Sequence, residues 1–160
     1  MSWSAALAVL LATAAFYDFW TLRIPNVLPL GIGALFVAAQ LTGGMEGGLL
    51  GHLGAAGIVL VFGIVAFAFG ILGGGDVKLL TSTALWVGLA KLPVLLILTG
   101  IAGGILALML LGLRPYLPFI LSGLPAPWVA QLPPSFHDRA PVPYGVAIAA
   151  AAIAVHSLTT

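Results

Sequence analysis

The sequence predicts an all-α polytopic membrane protein, a six-transmembrane-helix bundle forming one membrane-embedded domain over residues 1–160. Three observations carry that prediction. The chain is 62% hydrophobic and only 6% charged, whereas soluble domains carry about 25% charged residues to face water. Apolar runs approaching the ~20 residues needed to cross a bilayer recur along its length. Glycine, proline and the few charges gather between those runs, where helices stop. The same composition excludes other classes. A net charge of +1 with no basic block gives no footing for nucleic acid. The absence of cysteine removes disulfides, cysteine-based zinc sites and thiol nucleophiles together.

The first segment runs from about Ser2 to Trp20 and stays apolar as far as Asp18. Ala12-Thr13-Ala14 has the small-x-small form of a signal cleavage site, but no Lys or Arg precedes the apolar run, so a retained span is expected. Arg23-Ile24-Pro25-Asn26 breaks the helix, because Pro25 pushes the residue before it toward extended geometry. The second segment covers Val27 to Leu41, with Pro29 tolerable in its first turn. Thr42 to Gly48, with Glu46 and four glycines, reads as a tight loop. Segment three is expected over Leu49 to Leu72, segment four over Asp76 to Leu92, and segment five over Pro93 to Leu113. From Arg114 to Pro143 the chain holds eight of its eleven prolines and cannot form a regular transmembrane helix. A cytoplasmic or interfacial loop is expected there, anchored by Tyr116, Trp128 and Phe136. Tyr144 to Leu158 is the sixth segment. Small-xxx-small pairs at Gly43/Gly47/Gly51, Gly70/Gly74 and Gly100/Gly104 are expected to bring helices close.

Two crossings separate Asp18 from Asp76, so both carboxylates belong on one face of the membrane. Arg23, Lys78, Arg114 and Arg139 fall on that face and only Lys91 on the other. The positive-inside rule makes the shared face cytoplasmic and puts both termini outside.

The stretch Gly73-Gly74-Gly75-Asp76-Val77-Lys78 sets a carboxylate and an ammonium beside three glycines at a helix start. An ionisable group at a helix centre in a membrane costs about 2.5–3.5 kcal/mol, less near an end. One such aspartate is as well explained by ending a helix as by function. Two on one face of a nearly acid-free bundle favour function. Paired carboxylates share a proton, so one can activate water while the other protonates a peptide carbonyl or leaving amine. Asp76, at a helix start, leans toward base and Asp18, near a helix end, toward acid, although a coupled pair titrates as a unit.

Gly73, Gly74 and Gly75 are expected to let an extended substrate backbone approach the carboxylates. Lys78 and Arg23 read first as headgroup anchors, with contact to substrate, or for Lys78 a counter-charge to Asp76, as further roles. His52, His137 and His156 show no metal-ligand spacing, and no cofactor is expected. Thr81, Ser82 and Thr83 are expected to bond back to their own helix. A small proton-coupled transporter or channel subunit using the same two aspartates is the alternative. It is poorly supplied with groups on the opposite face, where only His52 and Glu46 fall.

The segment Gly73 to Lys78 resembles the GxGD motif of intramembrane aspartyl proteases, with the following lysine found in type IV prepilin peptidases. Asp18 with Arg23-Ile24-Pro25-Asn26 resembles the first aspartate region of that family, and Pro143-Tyr144-Gly145-Val146-Ala147 resembles the opening of its last helix. Length and span number are most similar to the small peptidases of tight-adherence (Flp-type) pilus systems. The resemblance implies a bacterial inner-membrane aspartic endopeptidase, with Asp18 and Asp76 as the catalytic pair. Its substrate would be a prepilin, cleaved of its leader at the cytoplasmic face. Larger members also N-methylate the new terminus and carry an extra segment with clustered cysteines. The lack of cysteine and the immediate first span point away from methyl transfer here.

Overall fold

The computed structural model describes residues 3–43, 48–117, 119, 132–136 and 140–157. Those residues form six α-helices and two 3-10 turns. The helices are α1 (Trp3–Thr21), α2 (Val27–Leu41), α3 (Leu49–Ala68), α4 (Gly74–Val87), α5 (Leu92–Leu113) and α6 (Tyr144–Ser157). The 3-10 turns are Arg114–Tyr116 and Pro134–Phe136. Three stretches are long and apolar enough to cross a membrane, Trp3–Thr21, Leu49–Ala68 and Leu92–Tyr116. Helices α2, α4 and α6 have 15, 14 and 14 residues, about 21–23 Å at 1.5 Å per residue. The all-α bundle of six helices is as expected, and among the described residues three of the six are long and apolar enough to cross by length and composition.

Helix ends follow backbone chemistry. Leu22 closes α1 with φ +51°, and its N–H donates to Asp18 O at 2.8 Å. Positive φ is uncommon for a side chain other than glycine, and here it turns the chain sharply into Ile24-Pro25-Asn26. Helix α3 stops four residues before the expected Leu72. Gly70 takes φ +70°, and the N–H groups of Phe69, Gly70 and Ile71 fold back onto the carbonyls of Val65, Phe67 and Ala66 at 3.1, 2.9 and 2.9 Å. Phe69, Ile71 and Leu72 are apolar but lie beyond that cap, where composition alone cannot see the helix end. Gly88, at φ +73°, ends α4 after Val87, five residues short of expectation.

The shortest helices are the most enclosed. Helix α4 packs on α3, α2, α6 and, less extensively, α5, and buries Val77, Leu79, Leu80, Ser82, Thr83, Ala84 and Trp86. Around it, α1, α3 and α5 turn large apolar side chains outward, among them Phe62 at 71% and Leu108 at 73% exposure. An apolar exterior around a more polar central helix is the inverse of a soluble bundle and suits a hydrocarbon solvent. Polar ties fix α4 in place. Trp86 Nε1 donates to Ile32 O at 2.9 Å, and His52 Nδ1 lies 2.8 Å from Leu85 O.

Close helix approach occurs at glycines other than those expected. A methyl group on Gly63 would stand 2.7 Å from Val77 Cγ1, and one on Gly103 would stand 3.0 Å from the Tyr144 ring. A methyl group on Gly43, Gly51, Gly70, Gly100 or Gly104 would meet nothing within 4 Å, and only one on Gly74, at 3.4 Å from Phe67, would touch a neighbour. Gly47 lies outside the described residues. Helices that turn their glycines to lipid gain nothing from the spacing.

The proline-rich stretch is described only in part, and Trp128, His137, Asp138 and Arg139 lie outside it. Its described ends pack onto the bundle. Arg114 is buried, and its guanidinium donates to Ser135 O from Nε at 3.3 Å and Nη2 at 2.8 Å, and to Pro141 O at 3.4 Å. The Ser135 hydroxyl donates to Phe19 O. Phe136 meets the Phe19 ring edge-on at 5.7 Å, so it packs on α1, where an interfacial anchor is expected. The loop ends are thus seated beside the residue that follows Asp18.

Candidate active site

Asp18 lies on the inward face of α1 with Leu7, Leu11 and Ala14, and is buried at 5% exposure. Its Oδ2 accepts the N–H of Gly145, in the first turn of α6, at 2.7 Å. A free N–H at a helix start is a natural partner for a carboxylate, and here the donor comes from 127 residues away. A methyl group on Gly145 would stand 2.8 Å from Asp18 Oδ2, 3.0 Å from Asp18 Cβ and 2.9 Å from Ile24 Cδ1. The position has room for hydrogen only.

Asp76 is the third residue of α4. Its Oδ2 accepts the N–H of Gly73, the N-cap, at 3.2 Å, the reaching-back half of a capping box. A methyl group on Gly73 would stand 2.8 Å from that oxygen. The two carboxylates are close enough for the charge of one to act on the other. Both accept a backbone N–H at the start of a helix. Asp18 stands in the last turn of α1 and Asp76 in the first turn of α4, as expected, but Asp18 also accepts an N–H from the start of α6.

Ile24 joins the two halves. Its Cβ would meet a methyl group on Gly75 at 3.1 Å, and its Cδ1 one on Gly145 at 2.9 Å. The side chain is thus seated between the glycine preceding Asp76 and the glycine that holds Asp18. In the sequence Arg23-Ile24-Pro25-Asn26 marks a helix break, and nothing in it marks Ile24 as a spacer. Gly145 stands there only as part of the opening of the last helix, with no sign that it binds Asp18. The one available signal was that a glycine opens a helix otherwise built of larger residues.

Lys78 is exposed, and its Nζ donates to Asn26 Oδ1 at 2.8 Å. It ties the α1–α2 turn to α4 and makes no ion pair with Asp76. Arg23 is exposed, and its carbonyl accepts the Thr21 hydroxyl at 3.0 Å. Gly74 abuts the Phe67 ring at 3.4 Å, so its bareness serves the α3–α4 junction. Ser82 and Thr83 donate to Leu79 O at 2.9 and 2.8 Å as expected. Thr81 does not: its Oγ1 has no hydrogen-bond partner among the described residues. Among those residues no group of three His, Asp or Glu gathers where a metal ion could sit.

Fold and site together define an integral membrane protein of helices with an interacting carboxylate pair at one end of the bundle. A family model described as the type IV leader peptidase family matches residues 5–108, more than half of the chain. The chain belongs to that family. The match takes in Asp18, residues 23–26 and residues 73–78, while α6 and its Gly145 lie beyond it. Neither a curated protein nor a solved structure matches the chain.

Proposed function

We propose that the protein is an aspartic endopeptidase of the Flp-type branch. It removes the leader of a prepilin at the cytoplasmic face of the bacterial inner membrane, with Asp18 and Asp76 as the catalytic pair. The observation that carries the reading is that these two carboxylates fall at one junction of the bundle, on either side of Ile24 and within electrostatic influence of each other. They come from α1 and α4, with α2 and α3 between them in the chain, and each accepts a backbone N–H. Two carboxylates in mutual reach favour a state that holds one proton between them. The ionised member takes a proton from water as it attacks the scissile carbonyl. The protonated member gives its proton to the developing oxyanion or the leaving amine. The bareness of Gly73 serves the Asp76 carboxylate and that of Gly75 serves the Ile24 side chain, so the space expected there for a substrate backbone is taken up within the protein.

Membership of a leader peptidase family supports the substrate class. The clustering of Arg23, Lys78 and Arg114 at the aspartate end supports the cytoplasmic orientation, with both termini opposite. The cysteine-free sequence supports cleavage without N-methylation.

The test is co-expression with a Flp-type prepilin. Wild type yields mature pilin with an unmethylated terminus by mass spectrometry. Asp18→Asn and Asp76→Asn each slow leader removal by at least ~100-fold, the low end of what acid–base groups contribute. Complete processing by either variant defeats the proposal.

A further inference from the structure

Helices α2 and α3 both pack on α4 but scarcely on each other. Between them, over the outer face of α4, lies a cavity of about 510 Å³. Asn26, Leu30, Leu60, Lys78, Thr81 and Leu85 contribute to its walls. Leu30 is 71% exposed and Leu60 42%, so the groove opens sideways, where a bilayer would lie.

Its chemistry is graded along α4. Lys78 stands at the mouth, at the aspartate end. At 1.5 Å per residue, Thr81 follows ~4.5 Å deeper and Leu85 ~10 Å deeper. The Lys78 ammonium is met by the neutral Asn26 at 2.8 Å and forms no ion pair among the described residues. An ammonium has three N–H donors, so two remain for an anion. One turn down, the Thr81 hydroxyl is buried without a partner among those residues, which is unusual for a buried polar atom. Thr81 lines the groove. Below that the walls are apolar.

We infer that this groove seats an anionic phospholipid. The phosphate takes Lys78, the glycerol ester oxygens accept from Thr81, and an acyl chain descends over Leu85, Leu60 and Leu30. Cation, hydroxyl and hydrocarbon follow one another in the order that such a lipid presents its groups. The inference needs the membrane setting and not the peptidase chemistry.

Native mass spectrometry of the full chain in detergent tests it, with phosphatidylglycerol and phosphatidylcholine of matched acyl chains as probes. Wild type is expected to retain one phosphatidylglycerol about fivefold better than phosphatidylcholine, the factor that ~1 kcal/mol per lysine near an anionic surface gives. Lys78→Gln abolishes that preference, and Lys78→Arg keeps it. Leu60→Trp, which fills the groove, loses both lipids with an unchanged thermal midpoint. Equal retention of the two lipids by wild type overturns the proposal, as does undiminished retention by Leu60→Trp. So does a photo-crosslinker at Leu60 that captures a prepilin in place of phosphatidylglycerol. None of these readouts requires leader cleavage, so failure here is distinct from failure of the aspartate variants.

Discussion

Replacing Gly145 by alanine sets a methyl group within 3.0 Å of both Asp18 and Ile24, and a buried site cannot absorb that without moving a carboxylate. Misplacing a reacting group by an ångström costs about 100-fold, so Gly145→Ala is expected to slow leader removal by about 10- to 100-fold. Gly100→Ala, with nothing within 4 Å, serves as the control and leaves the rate unchanged. Ile24→Ala should also slow processing, by removing the spacer between Gly75 and Gly145. Being half-buried, it should lower stability by no more than about 2 kcal/mol, below the range for fully buried Ile→Ala. Comparing single-turnover rates with thermal midpoints in detergent separates the two effects. At this scale the sequence disclosed the acids and hid their supports. Asp18 and Asp76 stand out because charge is scarce. Ile24 and Gly145 are an ordinary apolar residue and a glycine among many, and only long-range contact gives them a role.

Helix α4 shows how an element can be central and short at once. Enclosed by its neighbours, it needs neither the length nor the uniform apolar surface of a lipid-facing span. That is why it can carry Asp76, Lys78 and three hydroxyl residues. Its fit against α3 is tightest at Gly63, where an added methyl would stand 2.7 Å from Val77. Gly63→Val is therefore expected to destabilise the bundle by about 1–3 kcal/mol, the usual cost of overpacking. Thermal unfolding in detergent should register it, while Gly57→Ala, with open space around it, should not lower the midpoint. Element boundaries were legible where proline or a loop of glycines stood outside the apolar run, as for Val27–Leu41. They were missed where the terminating residue, Gly70 or Gly88, sat inside a run that stays apolar past the helix end. The small-xxx-small pairs misled because spacing says nothing about which face meets protein.

For the molecule as a whole, the absence of native cysteine makes its proposed topology directly measurable. Single cysteines at Arg23 and Lys91 report the two faces. An impermeant maleimide should label Lys91→Cys in intact cells, and Arg23→Cys only after the inner membrane is opened. The reverse pattern would overturn the cytoplasmic placement of the aspartates. Composition announced the membrane setting, because 6% charged residues cannot clothe a water-facing surface. It did not announce that α4 and α6 would be the most enclosed of the helices, since hydropathy records how apolar a segment is and not which neighbours enclose it.

The bond from Gly145 to Asp18 spans almost the full chain, and this gives the protein a built-in delay. A ribosome that has delivered α1 to α5 has already placed both aspartates in the bilayer, yet Asp18 still lacks the amide that orients it. The proposed carboxylate pair is completed only when the final helix docks. On that proposal, a partly made chain carries both acids before the Gly145 amide reaches Asp18.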